Sequence, residues 1–246
     1  NNIEVKYNMW VNKGSAAHIH WGAATVNNAL HEFYDYSPGE GINNPPWIDI
    51  YVGRNNAYGY TIMNTYLGNS NVINNLASGS IYGAPFLGAP KFGGLLFPDV
   101  YIGIDFKNSD RLKRLSSHEY AHASHFTKAG PFFWETLISA EAGANGYGNS
   151  GSTNAGIISI AESWAEHVAL TYTHNTYGGK NTAYWDGSWA ATRERVRNES
   201  ESHIPIGLYN DFIDGNKEEF VRDYDGGSGT IIDWVNGFSN AQMFSL

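Results

Sequence analysis

The chain has 246 residues, a formal net charge of −9 and no cysteine. The acidity and the lack of a long basic run argue against nucleic acid as a partner, and the missing thiols exclude disulfides, cysteine-ligated zinc fingers and cysteine nucleophiles. A hydrophobic fraction of 42% suits a globular catalytic unit, and no apolar run approaches the ~20 residues of a membrane-spanning helix.

Residues 21–36 predict a helix with Ala23, Val26, Leu30 and Phe33 on one side. Just before it, His18 and His20 alternate as strand positions do, which assigns them a structural role. Ser37-Pro38-Gly39 ends the helix, and Asn43-Asn44-Pro45-Pro46 reads as a loop. Residues 47–52 and 58–63 alternate like strands, and residues 69–77 predict a short helix. A long loop rich in Gly and Pro is expected over 78–98, then a strand at 100–104. The next helix is expected to be capped by Ser109, to carry Asp110 in its first turn and to stop at Gly130-Pro131. Leu112, Leu115, Tyr120 and Ala123 give it an apolar side.

That helix contains Ser116-Ser117-His118-Glu119-Tyr120-Ala121-His122, an H-E-x-x-H pattern. A helix turns about 100° per residue, so residues four apart share a face. His118 and His122 therefore aim two imidazoles at one point, and Glu119 reaches a water bound there. Zinc hydrolases use this set: two neutral nitrogen ligands, an open position and a carboxylate base.

Further helices are expected at 133–142, 155–173 and 189–198, with a glycine-rich connector over 143–156 near the cleft and a polar Gly-rich turn over 223–229. The Arg193, Arg195 and Arg197 cluster, with Glu194, reads as a solvated helix face. Within 155–173, Glu162 and Glu166 are again one helical turn apart in an apolar stretch. One carboxylate can bind metal while the other accepts the N–H of a ligand histidine and fixes its tautomer. Glu135 and Glu141, nearer in sequence to the histidine pair, are rival third ligands.

His118-Glu119-Tyr120-Ala121-His122 followed by Glu162-x-x-x-Glu166 resembles the gluzincin zinc peptidases. By that resemblance His118, His122 and Glu162 hold one Zn²⁺ per chain, Glu119 is the catalytic base and Glu166 supports a ligand histidine. The long gap and the E-x-x-A-E shape are similar to the metal site of the anthrax lethal factor catalytic domain. His118 to His125, with Phe133-Trp134, Gly146-Tyr147-Gly148 and Glu162-Ser163-Trp164, also resembles zinc metallopeptidases secreted by gut Bacteroidetes. The metzincin pattern is broken: His125 stands at its glycine position and Lys128 at its last histidine. The N-E-x-x-S-D motif of thermolysin-like enzymes is absent. Many gluzincins carry a tyrosine seven to nine residues before the ligand glutamate, but residues 153–155 are Thr-Asn-Ala. Tyr172, His174 and His203 are candidates for that oxyanion role, and His125 is either a substrate contact or a packed core histidine.

These features predict an α+β, zincin-like fold. Residues 1–130 form an N-terminal lobe with a mixed sheet and the H-E-x-x-H helix, and residues 131–246 form a mainly helical lobe across an active-site cleft. The expected activity is zinc-dependent peptide-bond hydrolysis on extracellular protein or peptide. The alternative is a catalytically silent zincin-like domain that binds extracellular peptide or glycan. Residues 100–104 or 48–52 would pair with extended substrate. The composition, rich in aromatics, Asn and Gly and poor in Lys, joins the resemblance in pointing to an exported protein, secreted or at the cell surface. The chain begins at Asn1 without a signal peptide, as a mature form would.

Overall fold

The computed structural model describes residues 13–54, 56–68, 98–106, 108–177, 203–204, 209, 221–222, 228–229 and 238–244. The helices expected at 69–77 and 189–198, and nearly all of the loop at 78–98, lie outside the described residues. The fold is mixed α+β, a small sheet with a larger helical part. Its elements are α1 (Ala16–Tyr36), a 3-10 turn (Ser37–Glu40), β1 (Ile50–Gly53), β2 (Gly59–Thr61), α2 (Asn64–Leu67), β3 (Val100–Gly103), α3 (Ser109–Ala144), α4 (Ala155–Tyr177), the short antiparallel pair β4 (Val221–Arg222) and β5 (Ser228–Gly229), and α5 (Asn240–Phe244). No helix among the described residues is long and apolar enough to cross a membrane.

α1 begins earlier than the sequence pattern indicated. Ser15 caps it, accepting from the His18 amide at 3.2 Å. His18 and His20 are therefore helical, not strand residues. His18 stacks on Trp21 with ring centroids 5.6 Å apart. α3 begins at Ser109 as its first helical residue, with Asn108 as the extended cap residue in place of Ser109. Ser228 and Gly229, expected in a turn, form β5.

The sheet order is β1-β3-β2, with β1 parallel and β2 antiparallel to β3. β3 is central and buried along its length, so its backbone is occupied on both sides. Asp99, fully buried just before β3, knots the sheet together. Its side chain accepts the Asp49 amide at 2.8 Å and the Thr65 amide at 2.6 Å, and its carbonyl accepts the Ile62 and Met63 amides. This one residue fixes the approach to β1, the end of β2 and the start of α2.

α3 packs against α1, the sheet and, most extensively, α4. Phe33, Leu112, Tyr120, Trp134 and Ile158 are buried at these contacts. The buried Tyr120 hydroxyl donates to the Val26 carbonyl at 2.8 Å, which ties α3 to α1. Within α3, Gly130 leaves helical geometry at φ 81° and ψ 173°, and Pro131 starts a second limb. That backbone region belongs almost to glycine alone, and proline is suited to a first helical turn. The expected stop at Gly130-Pro131 is thus a sharp break between two helical limbs.

Replacing Asp99 with Ala removes the buried acceptor of two part-buried amide hydrogen bonds. We expect a stability loss of roughly 3 kcal/mol in urea titration, with the unfolding slope unchanged.

Candidate metal centre

The first limb of α3 carries His118, Glu119 and His122, and α4 lies against it with Glu162 and Glu166. The helical spacing places both histidines on the α4 side. The Nε2 atom of His118 lies 3.1 Å from that of His122 and 3.2 Å from Glu162 Oε2, and His122 Nε2 lies 3.1 Å from Glu162 Oε1. Among the described residues this is the group of acids and histidines whose ligand atoms converge closely enough to hold a metal ion. Glu135 and Glu141 do not join it.

The donor set fits a tetrahedral zinc, whose 2.0–2.1 Å bonds hold ligand atoms about 3.4 Å apart. The protonation pattern fits as well. His118 Nδ1 faces Glu166 Oε2 at 3.4 Å, and the other oxygen of Glu166 is ion-paired with Arg114. That carboxylate can hold a proton on Nδ1, and in that tautomer Nε2 can offer its lone pair to a metal ion. Burial alone would raise the Glu162 carboxyl, but the charge of His122 and hydrogen bonds from His118 and His122 outweigh it. They hold Glu162 well below the usual carboxylate range. An ionised carboxylate and an imidazole lone pair at this separation require a proton or a cation between them.

Glu119 is buried but is not part of the converging group. Its Oε2 accepts from the Thr61 hydroxyl of β2 at 2.8 Å. Burial pushes the Glu119 carboxyl up to about 7. The charge of His122 and the Thr61 hydrogen bond pull the other way, and the charge of Glu162 adds to the rise.

Two cavities of about 330 and 300 Å³ adjoin the cluster and share Tyr58, Gly59, His118, Glu119 and Tyr147 in their walls. They are the two halves of one cleft that passes over Glu119. One half is lined by Arg111, Arg114 and Glu166, the other by Trp134, Leu137 and Glu162. Trp134 sits edge-on to His122, with centroids 5.8 Å apart, and its indole N–H donates to the Thr61 carbonyl at 3.3 Å.

Tyr147, on the turn between α3 and α4, is a residue at the candidate site that sequence spacing missed. Its ring is half exposed while its hydroxyl is engaged with Glu162. Burial of the hydroxyl and then the charges of Glu162 and Glu119 raise it far above the ordinary tyrosine range, so it remains a protonated donor. It precedes Glu162 by fifteen residues rather than seven to nine. The signal available in the sequence was the Gly146-Tyr147-Gly148 triplet in the glycine-rich connector.

The sequence-based nominees for that role lie elsewhere. The Tyr172 hydroxyl donates to Glu32 Oε2 at 2.5 Å, and its ring packs on Phe33 and Tyr36 in the core. His203 is held through its carbonyl by the Ser159 hydroxyl at 3.0 Å. Tyr172, His174 and His203 do not line either cavity. The ring of His125 lies against Phe133 and Trp134, and its buried Nδ1 has no hydrogen-bond partner among the described residues. The strand bordering Glu119 is β2, not β3 or β1, because β3 is interior and β1 lies on its far side.

Comparison with known proteins adds no relative: no family model, no curated protein and no solved structure matches the chain.

Two outcomes are expected. Glu162→Ala should abolish tight metal binding in equilibrium dialysis, Glu166→Ala should weaken it by roughly 10- to 100-fold, and Glu135→Ala and Glu141→Ala should leave it intact. The second concerns acid stability. Burial, with a smaller contribution from the charge of His122, lowers His125 from 6.5 to about 4. Below pH 6.5 the unfolded chain takes up a proton that the folded chain refuses, so this contribution is complete above 6.5 and is lost as pH falls towards 4. The loss is about 3 kcal/mol. Urea titrations of chelator-treated protein across that window should show a shallower decline for His125→Phe than for the parent.

Proposed function

We propose that the chain is a zinc-dependent endopeptidase of gluzincin type with a zincin-like fold, acting on extracellular protein or peptide from a secreted or cell-surface location. The observation that carries this reading is the arrangement at the cleft. Two helical histidines and a distant glutamate converge, and a second, non-ligating carboxylate stands beside them. His118, His122 and Glu162 would hold one zinc per chain. When bound, the metal supplies a Lewis acid that makes a water acidic enough to attack a peptide carbonyl near neutral pH.

The chain's own residues do the rest. Glu119 takes the proton of the attacking water and returns it to the leaving amine. Tyr147, protonated and beside Glu162, donates to the oxygen on which negative charge develops as the carbonyl becomes tetrahedral. Glu166 keeps the His118 proton on Nδ1, and Arg114 holds Glu166 in place. β2 is an edge strand among the described residues, and it lies along the cleft. An extended peptide laid beside it would present its carbonyls to the cluster at strand spacing.

Glu119→Gln should retain the metal and lose about 10³-fold in turnover, and Tyr147→Phe should lose about 10²-fold in kcat. Incubation of the zinc-loaded protein with a denatured protein mixture, with and without chelator, tests the class through mass spectrometry of new termini. Chelator-sensitive cleavage is expected. A zinc-loaded protein that produces no new termini would instead be a domain that binds peptide or glycan without cleaving it.

A further inference from the structure

The peptidase reading leaves open how Glu119, a flexible side chain, is kept in the orientation that a base requires. Its two oxygens have different surroundings, and both are set by β2. Oε2 accepts from the Thr61 hydroxyl at 2.8 Å. Oε1 has no protein hydrogen bond among the described residues and lies against the bare Cα of Gly59: a Cβ built there would stand 2.4 Å from Oε1 and 2.8 Å from Cγ and Cδ. Gly59 has an ordinary strand conformation, so the absence of a side chain serves the approach of Glu119 and not the backbone. The same Thr61 hydroxyl also lies 3.1 Å from the Glu119 carbonyl.

We propose that Thr61 and Gly59 of β2 form a positioning clamp for Glu119, and that it selects which carboxylate oxygen carries the catalytic proton. The inference rests on Glu119 being the base. A threonine hydroxyl has one hydrogen and two acceptors in reach. While Glu119 is ionised, the charge-assisted bond to Oε2 is the stronger, so Oε1 is left free at the cleft to take a proton from water. Once Oε1 is protonated the carboxyl is neutral, and the Thr61 hydrogen can turn to the Glu119 carbonyl without movement of heavy atoms. Oε1 then gives its proton to the leaving amine, and the hydroxyl returns to Oε2. Each cycle moves one proton from water to amine and leaves Glu119 and Thr61 as they began.

The clamp separates position from stability. The three atoms nearest a methyl at residue 59 all belong to the Glu119 side chain, so the carboxylate swings aside while the fold remains. Displacement of a catalytic group by about 1 Å costs on the order of 10²-fold in rate. The experiment uses the full chain and three variants, Gly59→Ala, Thr61→Val and Thr61→Ser, read by metal content, melting temperature, kcat and KM, and crystal structures of the variants. Gly59→Ala and Thr61→Val should bind zinc stoichiometrically and melt within a few degrees of the parent. They should lose roughly 10- to 100-fold in kcat with KM within about twofold, and show the Glu119 carboxylate rotated from its native position. Thr61→Ser, which keeps the hydroxyl, should restore most of kcat. The clamp is refuted if the carboxylate stays in place in both variants, or if Thr61→Ser is as impaired as Thr61→Val. If the zinc-loaded parent cleaves nothing while the carboxylate still swings in Gly59→Ala, the positioning of Glu119 stands, and the peptidase reading fails together with the proton selection.

Discussion

Electron pairs that face one another across about 3 Å in a protein interior repel, and the contact between α3 and α4 is built around such a set. Protons on the two histidines can bridge to the Glu162 carboxylate, and the three ligand atoms also converge closely enough for one cation to take their place. The two helices pack most extensively with each other, so the energy of holding these groups together is borne by Trp134, Ile158 and the other buried side chains of that interface. Arg114 and Glu166 extend the polar column along the same two helices, and it ends in an ion pair at the cleft wall.

The parts of the centre that lie on helices were legible from the sequence. Four-residue spacing is a local property, so H-E-x-x-H and the Glu162/Glu166 pair announce shared faces wherever the helices pack. Ser109 as cap missed by one residue, because Asn108 takes the extended conformation. His18 and His20 were misread as strand because period-two alternation over three residues is too short to compete with a serine cap and a 21-residue helix. Strand order is a global property. Nothing in the pattern of residues 58–63 or 100–104 indicates that the later strand inserts between the two earlier ones, and that insertion leaves β2, not β3, at the cleft. Tyr147 was hidden for a related reason, since the path of a glycine-rich turn decides where its ring falls.

The division of labour follows from this. The helices supply the converging side chains, and the rest of the candidate centre comes from elements whose placement depends on Asp99 and on the turn after Ala144. By anchoring the residues that follow Thr61, Asp99 sets how deeply that hydroxyl reaches towards Glu119. The sheet is small, but it fixes where the Glu119 carboxylate sits beside the cluster.

The break at Gly130 makes the glycine indispensable for a reason that contacts do not reveal. It directs the second limb of α3 so that Trp134 returns under His122 and meets the carbonyl of Thr61. A Cβ at residue 130 would meet no atom within 4 Å, so sterics with the rest of the molecule place no restriction there. The restriction is torsional: any L side chain pays for φ 81° and ψ 173° in its own backbone. A side chain at residue 130 is therefore opposed by its own torsions and not by its neighbours, and a bend relaxed to suit it would carry Trp134 away from His122 and from the Thr61 carbonyl.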